Sequence, residues 1–179
     1  MEPLANLLRW SSDLTEEVWA TGLTGVAASP AMDPAGGQNA FVLTNGSGGS
    51  HGVSQTVAGP DGYRYTGSVW VRGVVGTKVR MKLGEAAMEF GLSGQWRRCQ
   101  TSAVVSGGAG VRWVLELEPG ASCEIYGPQL EAQRAAGGYQ PSGGGSAVHA
   151  HARFDQDELE WVVEGPEQFG TQVRIRSRG

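Results

Sequence analysis

Four side chains, in two stretches of alternating sequence, have the types and spacing to hold a small ligand. In Tyr65-Thr66-Gly67-Ser68-Val69-Trp70-Val71-Arg72, a two-residue period puts Tyr65, Val69 and Val71 on one face. Thr66, Ser68, Trp70 and Arg72 fall on the other. In Glu124-Ile125-Tyr126 the same period sets Glu124 and Tyr126 side by side. Aromatic side chains give a small ligand its contact area, while a few charged or polar groups fix its orientation. Trp70, Arg72, Tyr126 and Glu124 are therefore the candidate ligand-binding residues. Packing beneath a covering loop is the competing role for Trp70, because Trp is highly buried on average. Trp96 and Trp113 follow apolar alternation and are expected in the core. Arg72, Arg80, Lys82 and Arg112 are expected along one polar face, either a binding surface or simply a solvated one.

Other chemistries find little support, and no catalytic residue can be named. No Gly-x-Ser-x-Gly elbow occurs, and Gly46-Ser47-Gly48-Gly49-Ser50-His51-Gly52 has glycines but neither the lysine nor the following helix of a phosphate loop. Glycoside hydrolysis needs two opposed carboxylates, and no pair stands out, so the chain is read as a non-enzyme. His149 and His151 lie two apart and would share a strand face, but His51 is distant and a zinc site needs a third ligand. No metal site is assigned there. Asp155-Gln156-Asp157-Glu158 lacks the glycine and the distal glutamate of a calcium hand and is expected to be a solvated turn. Cys99 and Cys123 fall in expected strands and read as two buried free thiols. With 14 basic against 18 acidic residues and a net charge of −4, there is no field to hold a nucleic acid. Arg174, Arg176 and Arg178 alternate on one strand, where they suit a solvated edge.

The elements that must position these residues are strands. Twenty-nine of 179 residues are glycine, and they punctuate apolar alternation as turns do. Strands are expected over 6–9, 41–44, 53–58, 63–74, 79–83, 87–92, 95–105, 111–118 and 122–131, with one capped helical turn near residues 12–17, Trp19 plugging the core and a loop over 29–39. Turn signals about every 8–12 residues, without helical periodicity, predict an all-β antiparallel sandwich. Residues 1–139 are assigned to this sandwich and 140–146 (Gln140-Pro141-Ser142-Gly143-Gly144-Gly145-Ser146) to a Gly/Ser linker. Residues 147–179 form a C-terminal β extension, hairpin-like, with strands near 148–154, 158–163 and 171–176. Thirty-odd residues cannot bury a core of their own, which points to packing on the sandwich or to a homo-oligomer or larger assembly. No stretch is long and apolar enough for a membrane span. Met1-Glu2-Pro3-Leu4 lacks the regions of a secretory signal. The protein is thus expected to stay in the cytoplasm, or to leave it by lysis or a dedicated machine, unless the sequence is trimmed.

Several motifs together resemble a known group. Asn6-Leu7-Leu8 with Ser11, Asp13-Leu14 and Trp19 resembles the start of non-catalytic jelly-roll domains of the carbohydrate-binding-module type, galactose-binding-like, found in bacteriophage tail and baseplate proteins and bacterial surface proteins. Tyr65 to Arg72, Gly94-Gln95-Trp96-Arg97-Arg98, Glu124 to Glu131 and Gly138-Tyr139-Gln140-Pro141 are similar to their central strand, strand start, closing strand and exit. The resemblance covers about residues 5–142 and implies a jelly roll that binds a glycan or cell-surface polysaccharide, with an extracellular, virion or surface location. The alternative is a purely structural module of a virion or tail, without a small ligand. Relatives often hold a structural calcium near the first and last strands. Asp13, Glu17 and Glu131 could supply some of its oxygens, but Tyr126-Gly127 stands where aspartate is common, and calcium needs six to eight oxygens.

Overall fold

The computed structural model describes residues 6–108 and 110–144, and beyond them the backbone of 152–154, 162–165, 168–170 and 175–177. Contacts divide the chain into two units, Met1–Ala147 and Val148–Gly179. The first is an antiparallel β-sandwich, as the alternation predicts. Its strands are β1 Thr24–Ala28, β2 Phe41–Asn45, β3 His51–Val57, β4 Arg64–Gly73, β5 Lys78–Leu83, β6 Ala86–Gly91, β7 Arg97–Val104, β8 Val111–Leu117 and β9 Ser122–Glu131. A five-stranded sheet runs β1-β2-β9-β4-β7 and a four-stranded sheet β3-β8-β5-β6. Among the described residues there is no helix, and none is long and apolar enough to cross a membrane.

The core lies between the sheets, because alternate residues of β2, β4, β5, β8 and β9 are apolar and turn inward. Tyr65, Val69 and Val71 of β4, Cys123, Ile125 and Leu130 of β9, and Phe41 and Leu43 of β2 meet Val79, Met81 and Leu83 of β5 and Trp113, Leu115 and Leu117 of β8. Trp19 plugs this core edge-on against Trp113, with ring centroids 5.7 Å apart. A side chain at Gly67 would lie 2.7 Å from Trp113 Cδ1, so glycine there makes room for the indole. Cys99 and Cys123 are buried free thiols. Burial pushes them up to about 11 and about 12, so both stay protonated at neutral pH.

Four expectations need correction. Strand β1 is not among the expected strands, since Thr-Gly-Val-Ala-Ala alternates too weakly to announce an edge strand. Residues 6–9 form no strand; one backbone bond, Leu7 N to Leu130 O at 2.8 Å, joins them to β9, and the Asn6 side chain does the rest. Its Nδ2 donates to Pro128 O and Gln140 O, and its Oδ1 accepts from Leu8 N and Leu130 N. Residues 12–17 make turns rather than a capped helical turn: Asp13 Oδ1 accepts from Thr15 N and Thr15 Oγ1 as a cap would, but no helical turn follows. The described part of the expected linker, 140–144, is not free. Trp10 N donates to Gly143 O, Ser142 N donates to Ser11 Oγ, and Ser142 Oγ donates to Leu8 O. Ser142, bonded to both Ser11 and Leu8, converts a flexible composition into a fastening.

The second unit holds two antiparallel ladders, β10 Ala152–Phe154 with β13 Ile175–Ser177, and β11 Val162–Gly165 with β12 Gln168–Gly170. The second ladder is nested in sequence inside the first, consistent with a hairpin-like extension. His149, His151 and the Asp155-Gln156-Asp157-Glu158 run lie outside the described residues, as do Arg174 and Arg178.

Candidate functional site

The outer face of the five-stranded sheet gathers all four candidate residues. Trp70 of β4 stands opposite Tyr126 of β9, and Arg72 stands opposite Glu124. Same-face neighbours on a strand are about 6.8 Å apart, so an aromatic pair and a charged pair sit in successive rows. All four side chains are half-buried. Trp70 is therefore neither sealed in packing nor fully in water.

The local register explains this strip. Between Ser68 and Trp70 the β4–β9 ladder shifts, because β9 uses Gly127 and Pro128 where β4 has only Val69. Such a bulge bends the strand and re-aims side chains, commonly beside functional sites. Gly127 has a φ of +60°, a left-handed conformation that costs other residues about 1–2 kcal/mol. A Cβ there would also lie 3.1 Å from the Tyr139 ring. Pro128, which cannot donate to a ladder, fits a bulge for that reason. The tetrapeptide Tyr126-Gly127-Pro128-Gln129 is thus a bulge whose sequence is dictated by backbone.

Beyond the bulge a roof closes the face. Residues 133–140 cross it, held by Thr66 Oγ1 to Gln133 O at 2.6 Å, Gln129 Nε2 to Gly138 O at 3.0 Å and Gln140 N to Gln129 Oε1 at 2.7 Å. Arg98, register partner of Trp70 on β7, turns under this roof to Gly137 O and Ser68 Oγ. Burial lowers its pKa, and the charge of Glu131 opposes that shift. Glu131 is fully buried and accepts from Gln133 Nε2 and Gly137 N. The roof ends at Tyr139, edge-on to Tyr126 at 5.1 Å, with its hydroxyl 3.1 Å from Ser11 Oγ. Burial, above all, pushes Tyr139 up to about 12 and also raises Tyr126, to which the Asp33 charge adds. Both phenols are neutral at physiological pH and can donate.

On the open side, the 29–39 loop and Trp96 form the rim. Asp33 organises the loop: Oδ1 accepts from Ala35 N and Gly37 N, and Oδ2 from Asn39 N. Burial alone would raise its pKa, but the amides of Asn39, Gly37 and Ala35 outweigh it and hold the carboxyl below its ordinary value. Arg72 donates Nε to Glu124 Oε2 at 2.6 Å and lies 4.7 Å from the centroid of the Trp96 ring. Glu124 Oε1 accepts from Ser29 Oγ at 2.5 Å. Beside this pair lies an open depression of about 330 Å³, lined by Arg72, Gly73, Val74, Gly94, Ser122, Cys123 and Glu124.

Trp96 is a correction to the sequence reading. It precedes β7 rather than lying in it, so alternation does not govern it; it reaches the outer face, with Nε1 donating to Met32 O at 3.0 Å. Trp113 is in the core as expected. The single polar face of Arg72, Arg80, Lys82 and Arg112 divides between the sheets: Arg72 joins the strip, while β5 and β8 belong to the four-stranded sheet. Asp13, Glu17 and Glu131 form no cluster, and among the described residues no three His, Cys, Asp or Glu side chains gather to hold a metal. Sequence reasoning also missed Ser29, Asp33 and Tyr139. Asp33-Pro34 with Gly36 and Gly37 carried a usable turn signal; Tyr139 carried none beyond the exit motif.

The arrangement is an antiparallel β-sandwich of jelly-roll type with an aromatic and ionic strip on one sheet. No family model matches the chain, and no curated protein matches it in sequence. Its fold is shared with solved structures at low identity. TmCBM61, solved in complex with β-1,4-galactotriose, is 19% identical, with 72% of this chain and 99% of that chain covered at a TM-score of 0.55. The CBM22-1 xylan-binding domain from Paenibacillus barcinonensis Xyn10C is 17% identical, covering 76% and 99% at a TM-score of 0.57. The enzymatically active domain of bacteriophage CBA120 tailspike protein 4 is 13% identical, covering 72% of this chain but 21% of that one, at a TM-score of 0.55.

Proposed function

We propose that the sandwich is a non-catalytic module that binds a glycan along the open strip of Trp70, Tyr126 and Trp96 with the Arg72–Glu124 pair. The observation that carries this reading is the register: beside the bulge and the end of the roof, Trp70 opposite Tyr126 and Arg72 opposite Glu124 form adjacent half-buried rows of rings and charges. Half-buried rings offer flat apolar area, and the ion pair offers fixed donors and acceptors for hydroxyls, the mix that small-ligand sites use. The fold's likeness to structures solved with galactotriose and named for xylan supports the same reading. Glycan-array screening of the full chain, followed by calorimetry on the best ligand, tests it. Binding that Trp70→Ala abolishes is expected; binding untouched by Trp70→Ala and Tyr126→Ala would sink this assignment of the site.

A second reading, an assembly module of a virion or tail exposed on a particle or cell surface, is favoured by the likeness to a tailspike domain. The two are compatible, because repetition of a weak module in an oligomer gains avidity through effective concentration. Light scattering of the full chain decides on assembly: a defined oligomer supports it, and a monomer removes it.

A further inference from the structure

We propose that the depression beside Arg72 and Glu124 accepts the acetamido group of an N-acetylated glycan, an inference that rests on the glycan reading of the open strip. Three kinds of surface converge there. Arg72 commits Nε and Nη2 to Glu124, and among the described residues Nη1 has no hydrogen-bond partner, so one donor edge remains. Glu124 Oε2 takes both Arg72 nitrogens, whereas Oε1 accepts only from Ser29 Oγ, which leaves lone-pair capacity on Oε1 for another donor. The third surface is apolar: Val74 lines the depression and is 73% exposed.

An acetamido group matches all three at once. Its carbonyl accepts from the guanidinium, its N–H donates to the carboxylate, and its methyl covers Val74. A bare hydroxyl uses the polar pair but leaves the valine methyls in water. The carboxylate of a uronic acid places like charge against Glu124, while Arg72 is already neutralised. The far wall leaves room: a side chain at Gly94 would meet nothing within 4 Å. Aromatic rim and apolar wall are joined through Arg72, which stacks on Trp96, so one sugar could rest on the strip with its substituent in the depression.

The test titrates the full chain with matched β-1,4 trisaccharides that differ only in acetamido against hydroxyl at C2, in gluco and in galacto configuration, read by amide and indole NMR shifts. The acetamido member of at least one pair is expected to bind about 4-fold more tightly, the worth of one buried methyl. Val74→Ser, at an exposed turn, is expected to shrink that preference while leaving the hydroxyl member unchanged. Equal affinity within both pairs, or a preference that survives Val74→Ser, overturns the acetamido assignment and leaves glycan binding standing. If none of the four sugars nor any array glycan shifts the Trp70 indole, the glycan reading falls, and this inference with it.

Discussion

The two outer faces of the sandwich rest on strands of different regularity. In the four-stranded sheet the β3–β8, β5–β8 and β5–β6 registers run without a shift. Outward residues then meet their partners directly, and charges cancel locally: Lys78 and Arg80 both reach Glu89, and Lys82 reaches Glu116. A depression of about 250 Å³ lies there too, but its charged groups are largely spent on one another. In the five-stranded sheet the β4–β9 bulge breaks the register, the exit segment roofs one half, and aromatic rings rim the other. Strand chemistry is similar in both sheets. A single glycine-based irregularity and the segment that covers it set them apart: one face carries ion pairs, the other a half-buried aromatic strip.

The largest effect expected is on ligand binding. Trp70→Ala should cost at least about 2 kcal/mol, roughly 30-fold in Kd, as truncation of a central aromatic anchor does. Calorimetry with the best array ligand reads it. A comparable loss from Arg80→Ala would break the comparison by moving the site to the other sheet.

Gly127→Ala addresses the bulge. The substitution should destabilise the sandwich by about 1–2 kcal/mol from its left-handed backbone alone. It should also weaken binding, because Tyr139 must shift and Tyr126 leans on it. Denaturant melts give the first quantity and calorimetry the second. Gly91→Ala, on the regular sheet with open space around it, is the control expected to leave binding unchanged.

How far these differences could be seen in advance depended on whether alternation governs the residue. Trp113, Val69 and Ile125 lie in strands whose period two sorts inside from outside, so the core was legible, and so were Trp70, Arg72, Tyr126 and Glu124 as one face. Trp96 stands one residue before its strand and escapes the period. Tyr139 and Asp33 act through tertiary contacts and loop amides that no local pattern encodes. Residues 140–144 have the composition of a linker, yet Ser142 finds partners 131 and 134 residues away in the chain, and Gly143 pairs with Trp10. Composition reports what a segment can do when free, and not whether something is placed to catch it.

The thiols sharpen the comparison from the inside, since Cys99 and Cys123 both belong to the five-stranded sheet. Their burial raises them above the ordinary value of 9.0, to about 11 and about 12. As pH rises, the unfolded chain loses these protons first, so stability is intact below about pH 9 and falls through the interval up to pH 11–12. Replacing Cys123 by Ala should remove about 1.4 kcal/mol per pH unit from that alkaline slope, as measured by urea melts at pH 9 to 10.5. An unchanged slope would show that the thiol is not buried in solution.

The smallest effect concerns the regular face. Arg80 and Lys78 are about half exposed and share one carboxylate, and exposed ion pairs contribute roughly 0–1 kcal/mol, less as salt screens them. Arg80→Ala should therefore shift the melt by no more than about 0.5 kcal/mol and leave glycan affinity unchanged at any ionic strength. Arg72→Ala, by contrast, should weaken binding even in high salt. Its partner Glu124 is only 22% exposed, and removing the guanidinium leaves that half-buried carboxylate with Ser29 as its one hydrogen-bond donor among the described residues. The same substitution type on two faces thus separates charge that serves solubility from charge that serves recognition, and salt dependence is the readout that tells them apart.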